Sequence, residues 1–502
     1  MFMDLTGTSF VFEPLTLLIM FGGVFGGLIV GAIPGLTSTM AVALLVPITY
    51  GMSANLGLAL LVSVYMGSIS GGLVAASLLN IPGTPSSVAT TFDAFPMTRR
   101  GEGGKALAYG IFASFLGSIF GFIALYLLAP VLGTFALRFG PYEYFSLVVF
   151  TLTCIVSISR KSLLKGALSA LIGLFLSCIG LSQVDGMPRF DFGTDWLQSG
   201  FSVMPVLIGM YAISQILNDM AGMHTPMTVM KTDFTVREFF RVAASFRHSV
   251  WNVIRSSLIG IGIGILPGTG SGLSNIVAYA QAKNSARDPE SFGTGNPDGI
   301  IASESSNNAA TGGALIPLLT LGIPGDATTL MIIGAFMIHG VQPGPLLMRD
   351  HAELVAIIII AYLVSNFFML FLQINFIKVM IKALKIPQVV LFPCIIVLCV
   401  MGCYALNSSM VDVWIFFFMG IVGYALTKTG FPLLPLVLGL ILGRIAEAQF
   451  RSAYTMGGDS LAGFLERPIA LAFLGISVLS LALSLWSARK GGAARARQEG
   501  AS

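Results

Sequence analysis

The sequence predicts an all-α polytopic membrane protein with roughly 12–15 transmembrane or re-entrant helical segments, about 20 apolar residues being needed to span. Three observations carry that expectation. Charged residues make up only 10% of the chain, against about 25% in a soluble domain. No Asp, Glu, Lys, Arg or His occurs from Pro14 to Phe92. A Pro-Gly motif flanked by small polar residues recurs at four places, in two pairs.

Apolar segments fall near 14–33, 40–50, 55–80, 106–132, 142–158, 166–183, 200–218, 251–266, 309–321, 327–341, 352–374, 388–405, 411–427, 431–443 and 468–487. They do not alternate as barrel strands would, so the expected architecture is a helical bundle. Several are too short to span alone, and these flank the Pro-Gly motifs. The first run lacks the short basic region of a signal peptide and reads as a true span.

Lys and Arg collect at 99–105, 160–165, 231–255, 378–385 and in the tail from Arg489. The first 13 residues and the loops 133–141, 184–199, 345–353 and 407–412 are poorly basic or acidic. Walked in order, the two sets alternate. The positive-inside rule then puts the N-terminus outside and the C-terminus in the cytoplasm. The stretch TVREFFRVAASFRHSVWNVIRS reads as an amphipathic helix at the inner interface and also as a connector between two halves. The tail from Ala488 is expected to be disordered.

The repeat is the most informative feature. Residues 31–39 read GAIPGLTST and 79–87 read LNIPGTPSS; residues 264–272 read GILPGTGSG and 321–329 read LGIPGDATT. Gly71-Gly72 precedes the second motif and Gly312-Gly313 the fourth; Ala94-Phe95 and Ala335-Phe336 follow them. Order and approximate spacing are kept, which reads as a duplication. Under the charge-based orientation the copies are inverted, as in secondary transporters whose sites lie between discontinuous helices.

Proline removes a backbone donor and clashes with the preceding turn, and glycine allows the chain to unwind. Unwound backbone at membrane depth survives only inside protein or beside water. Hydroxyl and amide residues follow each break and suit helix N-caps. A half-helix N-terminus offers free N–H groups and positive dipole to an anion. The expected substrate-binding residues are therefore Gly35, Thr37, Ser38, Thr39, Gly83, Thr84, Ser86, Ser87, Gly268, Thr269, Ser271, Asn275, Gly325 and Thr328. Asn307 and Asn308 join them from the polar segment 293–313, which reads either as a binding hairpin or as a solvated loop. Carbonyls and oxygens at Pro34, Asn80, Pro267, Ser274, Thr311, Asp326 and Thr329 are the Na⁺ candidates. Asp326 is the only acid inside a break and reads as an ion ligand, a proton carrier or a plain N-cap. Asp93 with Arg99 and Arg100 reads as interface anchoring.

Other chemistries find little support. Gly22, Gly23, Gly26, Gly27 and Gly31 have the spacing of close helix packing. GTGSG at 268–272 lacks the Gly-Lys-Ser/Thr of a phosphate loop, and no HExxH or GxSxG occurs, so no enzyme is expected. Five scattered cysteines and four scattered histidines show no metal spacing. No basic patch interleaved with aromatics suggests nucleic acid.

The stretches GAIPGLTSTMAVALLVPITYGM, LLNIPGTPSSVATTFDAFPM, GILPGTGSGLSNIVAYAQAKN, FGTGNPDGIIASESSNNAATGGALIPLLTLGIPGDATT and IHGVQPGP resemble the large membrane subunit of tripartite tricarboxylate transporters. The resemblance covers nearly the whole chain. It implies a bacterial inner-membrane protein working with a small membrane subunit of about four spans and a periplasmic substrate-binding protein. It implies import of citrate, other tricarboxylates or related organic acid anions, driven by an ion gradient, usually Na⁺, with no covalent cofactor. An elevator-like transport domain would hold residues 1–105 and 251–345, the two repeats. Residues 106–218 and 346–487 would form scaffold, 219–250 an interfacial connector and 488–502 a cytoplasmic tail. The alternative is a passive organic anion channel or efflux permease without a binding protein.

Overall fold

In the computed structural model, residues 7–158, 162–182, 184–221, 229–230 and 232–499 are described. Residues 1–6 of the expected outer N-terminus, 159–161 of a basic loop, 222–228 and 231 of the connector, and 500–502 of the tail lie outside them. The helices run in chain order as α1 (Pro14–Ala32), α2 (Ser38–Thr49), α3 (Ala54–Leu79), α4 (Val88–Arg99), α5 (Gly103–Ala136), α6 (Pro141–Ile158), α7 (Leu163–Ser177), α8 (Asp195–Gln198), α9 (Val203–Ile208), α10 (Ser214–Ala221) and α11 (Val236–Ser245). They continue as α12 (Val250–Ile265), α13 (Gly270–Asn284), α14 (Pro297–Leu321), α15 (Ala327–Ile338), α16 (Pro345–Asp350), α17 (Ala352–Ala383), α18 (Gln388–Asn407), α19 (Met410–Lys428), α20 (Leu433–Met456), α21 (Gly463–Glu466) and α22 (Pro468–Glu499). A single antiparallel pair, β1 (Gly180–Leu181) and β2 (Pro188–Arg189), is the only sheet among the described residues. Nine helices there are long and apolar enough to cross a membrane, α9 and α10 counting as one (Val203–Ala221) through the π-helical turn Gly209–Ile213, with five shorter apolar helices beside them. The fold is the expected helical bundle. The helix α22 carries on through Ala488–Glu499, where a disordered tail was expected.

The chain divides into two compact units. The first comprises residues 1–137 and 211–410, the second 138–210 and 411–502. The first unit holds both repeats. Each repeat is a helix, a break, a short helix, a long helix, a second break and a short helix: α1 to α4, then α12 to α15. Glycines set how closely the first and third helices of each copy approach. A Cβ at Gly27 would lie 2.5 Å from the Val64 carbonyl, and one at Gly31 would collide with the Ser68 carbonyl. In the second copy, Cβ atoms at Gly260 and Gly264 would collide with the Ser306 and Ala310 carbonyls. The register set by Ile81-Pro82-Gly83 and Ile323-Pro324-Gly325 maps Val64 onto Ser306 and Ser68 onto Ala310. The packing therefore repeats residue for residue.

This register corrects one expectation. Gly71 meets the Leu28 carbonyl and Gly313 meets the equivalent Ile261 carbonyl. The counterpart of Gly71-Gly72 is thus Gly313-Ala314, one residue later than Gly312-Gly313. Gly312 faces elsewhere, against Gly121 of α5.

The expected scaffold segments 106–218 and 346–487 are divided between the two units. The helices α5, α17 and α18 belong to the first unit, with the repeats. Gly117 and Gly121 let α5 lie against Ser305 and Ala309 of α14. On the other copy, Ser63 of α3 and Ser365 of α17 share a hydrogen bond of 2.8 Å, and Gln373 donates to the Ser70 carbonyl at 3.2 Å. Each long helix following a repeat thus packs on the third helix of the other repeat.

The amphipathic helix expected near 236 is α11. The Thr235 side chain caps it by accepting from Glu238 N at 3.2 Å. Phe239 and Val242 are buried toward α5, where Phe112 packs edge-on against Phe239 and Phe246. Arg237 and Arg241 stay exposed on the opposite face, which fits an interfacial position.

The second unit contains α6, α7, the β1–β2 hairpin, α8, α9, α20, α22 and all of α19 after Met410. Gly173 and Gly439 bring α7 and α20 into backbone contact at Leu436 and Ala170. Arg189 forms a two-pronged pair with Glu447, both bonds 2.9 Å. Tyr142, Phe450 and Phe464 form an aromatic cluster.

Candidate functional site

Each break has its own local chemistry. In the first, Gly35 takes φ +91° and Thr37 caps α2, accepting from Met40 N at 3.2 Å. In the second, Asn80 ends α3 in the left-handed region, and Thr84 and Ser87 form a capping box. There Thr84 N donates to Ser87 Oγ at 3.3 Å and Ser87 Oγ donates to the Thr84 carbonyl at 2.9 Å. The fourth break repeats this arrangement with stronger donors and acceptors. Gly322 replaces Asn80 at φ +71°, Asp326 N donates to Thr329 Oγ1 at 2.9 Å, and Thr329 N donates to Asp326 Oδ1 at 2.7 Å. The third break departs from expectation. The Thr269 hydroxyl does not cap α13; it turns back to donate to the Ile263 and Leu266 carbonyls at the end of α12.

The breaks meet in crossed pairs. Thr39 of the first and Thr328 of the fourth share a hydrogen bond of 3.2 Å. Asn275, just past the third, donates to the Pro85 carbonyl and accepts from Ala89 N, both at 3.4 Å, which ties it to the second. The repeat register maps one contact onto the other, since Thr39 corresponds to Gly272 and Thr328 to Ser86; Gly272 lies beside Pro85. A Cβ on Gly270 would sit 2.7 Å from Asp326 Cβ, joining the third and fourth breaks. Gly83 closes on the Gly31 carbonyl, and a Cβ on Gly325 would sit 2.6 Å from the Gly264 carbonyl. The four interruptions thus form one cluster within the first unit.

Most expected residues are in this cluster. Ser38, Thr39, Thr84, Ser86, Ser87, Ser271, Asn275 and Thr328 are buried there, with Gly83 and Gly325 in the backbone turns. Gly35, Thr37, Gly268 and Thr269 are partly buried. Among the described residues the Ser38 hydroxyl has no hydrogen-bond partner. The segment 293–313 is neither hairpin nor solvated loop beyond Asn296: it is the buried helix α14, several of whose polar side chains bond to neighbouring helices. Asn308 accepts from Ser70 at 2.6 Å and Ser118 at 3.4 Å, and Thr311 pairs with Tyr362 at 2.7 Å. Both therefore face α3, α5 and α17, not the breaks, because hydroxyls there satisfy them. Asn307 has no good hydrogen bond at either amide atom.

The Na⁺ candidates divide. The Pro34 carbonyl already accepts from Gln388 Nε2 at 3.1 Å. Asn80 is exposed as a helix cap. Ser274 donates to the Ser271 carbonyl at 3.0 Å. Asp326 and Thr329 cap α15, while Pro267 is buried in its turn. Asp93 accepts from the backbone N–H groups of Gly293, Gly295 and Asn296 and from Tyr279 Oη, all at 2.7–2.9 Å, so it anchors α4 to the loop before α14.

Three residues at the cluster carry no local mark in the sequence. Tyr65 donates to Asp326 Oδ2 at 2.6 Å. Asp219 Oδ2 lies 2.7 Å from a Cβ built on Gly35 and has no hydrogen-bond partner among the described residues. Gln388 holds the Pro34 carbonyl. Of these, only Tyr65 was within reach of sequence reasoning, as the repeat counterpart of Asn307.

The arrangement gathers the N-terminal turns of α2, α4, α13 and α15 with hydroxyls and amides. No Lys, Arg or His occurs in any of the four breaks. Such a cluster has the means to hold an anion through backbone N–H groups and helix dipoles.

The family model described as Tripartite tricarboxylate transporter TctA family matches residues 17–438. An Agrobacterium vitis protein named "Uncharacterized 52.8 kDa protein in TAR-I ttuC' 3'region" is 33% identical over 479 residues, covering 95% of each chain. A second Agrobacterium vitis protein, named for the TAR-II ttuC' 3'region, is 36% identical over 223 residues, covering 44% of this chain and 92% of its own. No solved structure matches.

Proposed function

The chain belongs to the tripartite tricarboxylate transporter TctA family, and from that premise we propose that it is the permease of a binding-protein-dependent importer of organic acid anions, driven by a Na⁺ gradient. It works in the bacterial inner membrane, with its N-terminus outside and its tail in the cytoplasm. A periplasmic binding protein delivers the anion, and a small four-span subunit completes the membrane complex. Tricarboxylates are the favoured substrates, and selectivity among them lies largely with the binding protein.

One observation supports this reading above the others: four interrupted helices converge in crossed pairs, as Thr39 does with Thr328, without a cation among them. Interrupted helices at an interface between repeats are how many carriers build a midplane site. The anion is held by N–H groups of the first turns of α2, α4, α13 and α15. Hydroxyls of Ser38, Thr39, Ser86 and Thr328 orient its carboxylates. Cation binding offsets its charge, and movement of the repeats exposes the site on the other side. A dry core without Lys or Arg holds an anion weakly until a cation joins it, and this is the source of coupling.

Uptake of radiolabelled citrate or another organic acid into proteoliposomes tests the reading. It is expected to require Na⁺, the binding protein and the small subunit. Uptake indifferent to both Na⁺ and binding protein would favour a passive channel instead.

A further inference from the structure

We propose that Glu304 and Asn307 of α14 seat the coupling cation, Na⁺. This rests on the carrier reading and names its ion site. Glu304 is fully buried. Thr90 of α4 donates to Oε1 at 2.5 Å and Ser114 of α5 donates to Oε2 at 2.9 Å. Among the described residues it forms no ion pair. A carboxylate removed from water needs a compensating positive charge, and two hydroxyls supply only part of it.

Asn307, also fully buried, lies three residues on beside the same carboxylate. Among the described residues neither amide atom has a hydrogen-bond partner of good geometry. A buried amide without a well-formed bond is costly, and a cation beside that carboxylate would give its Oδ1 a partner. Ser303 Oγ, 3.1 Å from Thr90 Oγ1, adds another oxygen. Carboxylate, amide and hydroxyl oxygens form a hard ligand set suited to Na⁺. The other acids on the helices meeting here are already engaged: Asp93 by Tyr279 and three backbone N–H groups, Asp298 by Asn252.

The position explains coupling. Thr90 is in the first turn of α4, directly after the Thr84–Ser87 capping box of the second break. A cation at Glu304 fixes that turn, and so fixes N–H groups that meet the anion. By linkage the anion strengthens Na⁺ binding equally.

The test uses the full chain in lipid nanodiscs. Thermal unfolding is followed against NaCl, with choline chloride holding ionic strength constant. The wild-type midpoint is expected to rise saturably with Na⁺. In Glu304→Gln, the apparent Na⁺ affinity falls by about a hundredfold, since one partner of a buried charge pair is gone. The same variant is expected to unfold no earlier than wild type in choline, because the uncompensated charge has been removed. In Asn307→Leu the affinity falls by about tenfold. A wild-type Na⁺ response in Glu304→Gln overturns the assignment. So does a wild-type chain blind to Na⁺ but destabilised as pH rises, which would make Glu304 a proton site. If Glu304→Gln does not accumulate, Asn307→Leu decides: an unchanged Na⁺ response there also overturns it. Proteoliposome uptake separates the two levels. Na⁺-dependent uptake that Glu304→Gln leaves intact sinks only the site; wild-type uptake without Na⁺ or binding protein sinks the carrier reading with it.

Discussion

Tyr65 of α3 donates its hydroxyl to Asp326 Oδ2 at 2.6 Å, across the junction of the two repeats. By the repeat register its counterpart is Asn307, and the counterpart of Asp326 is Thr84. The two halves of the cluster therefore differ chemically: one carries a phenol bonded to a carboxylate, where the other has an amide at 307 and a neutral hydroxyl at 84. Asp326 spends both oxygens on Tyr65, Thr329 N and Thr329 Oγ1, so it acts first as the brace of α15. Tyr65→Phe is expected to cost about 1.5–3 kcal/mol, the range for a hydrogen bond to a charged group. Asp326→Ala also removes the helix cap. Because both variants break one shared bond, their costs measured by chemical denaturation should fall short of additivity by about 1–3 kcal/mol in a double-mutant cycle. Strict additivity would show that the two side chains act independently.

The glycine ladder of α1 gives a sharper contrast. Gly31 and its counterpart Gly264 have no room for a Cβ against the Ser68 and Ala310 carbonyls, whereas Gly22 and Gly26 have nothing within 4 Å. Backbone cannot give way as a side-chain end does. Gly31→Ala and Gly264→Ala are each expected to destabilise the first unit by about 1–3 kcal/mol or more. Gly26→Ala should be neutral or slightly stabilising, since alanine favours a helix over glycine by about 1 kcal/mol. Unfolding midpoints of the three variants decide it, and equal effects at Gly26 and Gly31 would contradict the packing.

How much of this was legible in the sequence follows from where each signal lives. The breaks are local: proline, glycine and the next few residues determine them, so all four lie where the motifs place them, although the hydroxyl of the third, Thr269, turns back to α12 and does not cap α13. The Gly-Gly flanks misled by one residue, because identity alone does not distinguish Gly312, which meets α5, from Gly313, which meets α12. The polar run in α14 looked like loop because its satisfying partners, Ser70, Ser118, Thr90 and Tyr362, come from distant helices. Asp219 and Gln388 are invisible for the same reason, whereas Tyr65 is marked only through the repeat, as the counterpart of Asn307. Which neighbours α5 and α17 meet is not legible, because an apolar helix carries no mark of them.

Thr39 and Thr328 test the anion site itself. Their mutual bond of 3.2 Å brings the first turns of α2 and α15 together, and both hydroxyls are free to turn to a carboxylate. Thr39→Val and Thr328→Val keep shape and β-branching but remove a donor. Each is expected to lower uptake efficiency of the organic anion by about tenfold, the worth of one desolvated hydrogen bond. Unfolding midpoints should move little by comparison. A loss of stability without a loss of uptake would assign the pair to packing.

The second unit offers a prediction independent of transport chemistry. Arg189 of β2 holds Glu447 of α20 in a fork of two 2.9 Å bonds, and Arg451 reaches both Glu447 at 2.8 Å and Asp185 at 2.7 Å. The hairpin is thus fastened to α20 by a network of two arginines and two acids. Bidentate geometry fixes direction as well as charge, so lysine at 189 cannot replace the fork. Arg189→Lys is expected to cost about 1 kcal/mol and Arg189→Ala somewhat more, given partial exposure. The Asp185 carboxyl is held well below the usual range by the Ser182 hydroxyl and then by Arg451. A depressed carboxyl stabilises the folded state above its unfolded pKa of about 3.9, and that contribution is lost as pH falls through the folded value. Wild type should therefore lose part of its hairpin protection on acidification, and Arg451→Gln should lose less because it starts with less. Hydrogen exchange at residues 180–189 between neutral and acid pH reads this directly. Identical pH profiles in the two proteins would show that Arg451 does not hold the hairpin in place.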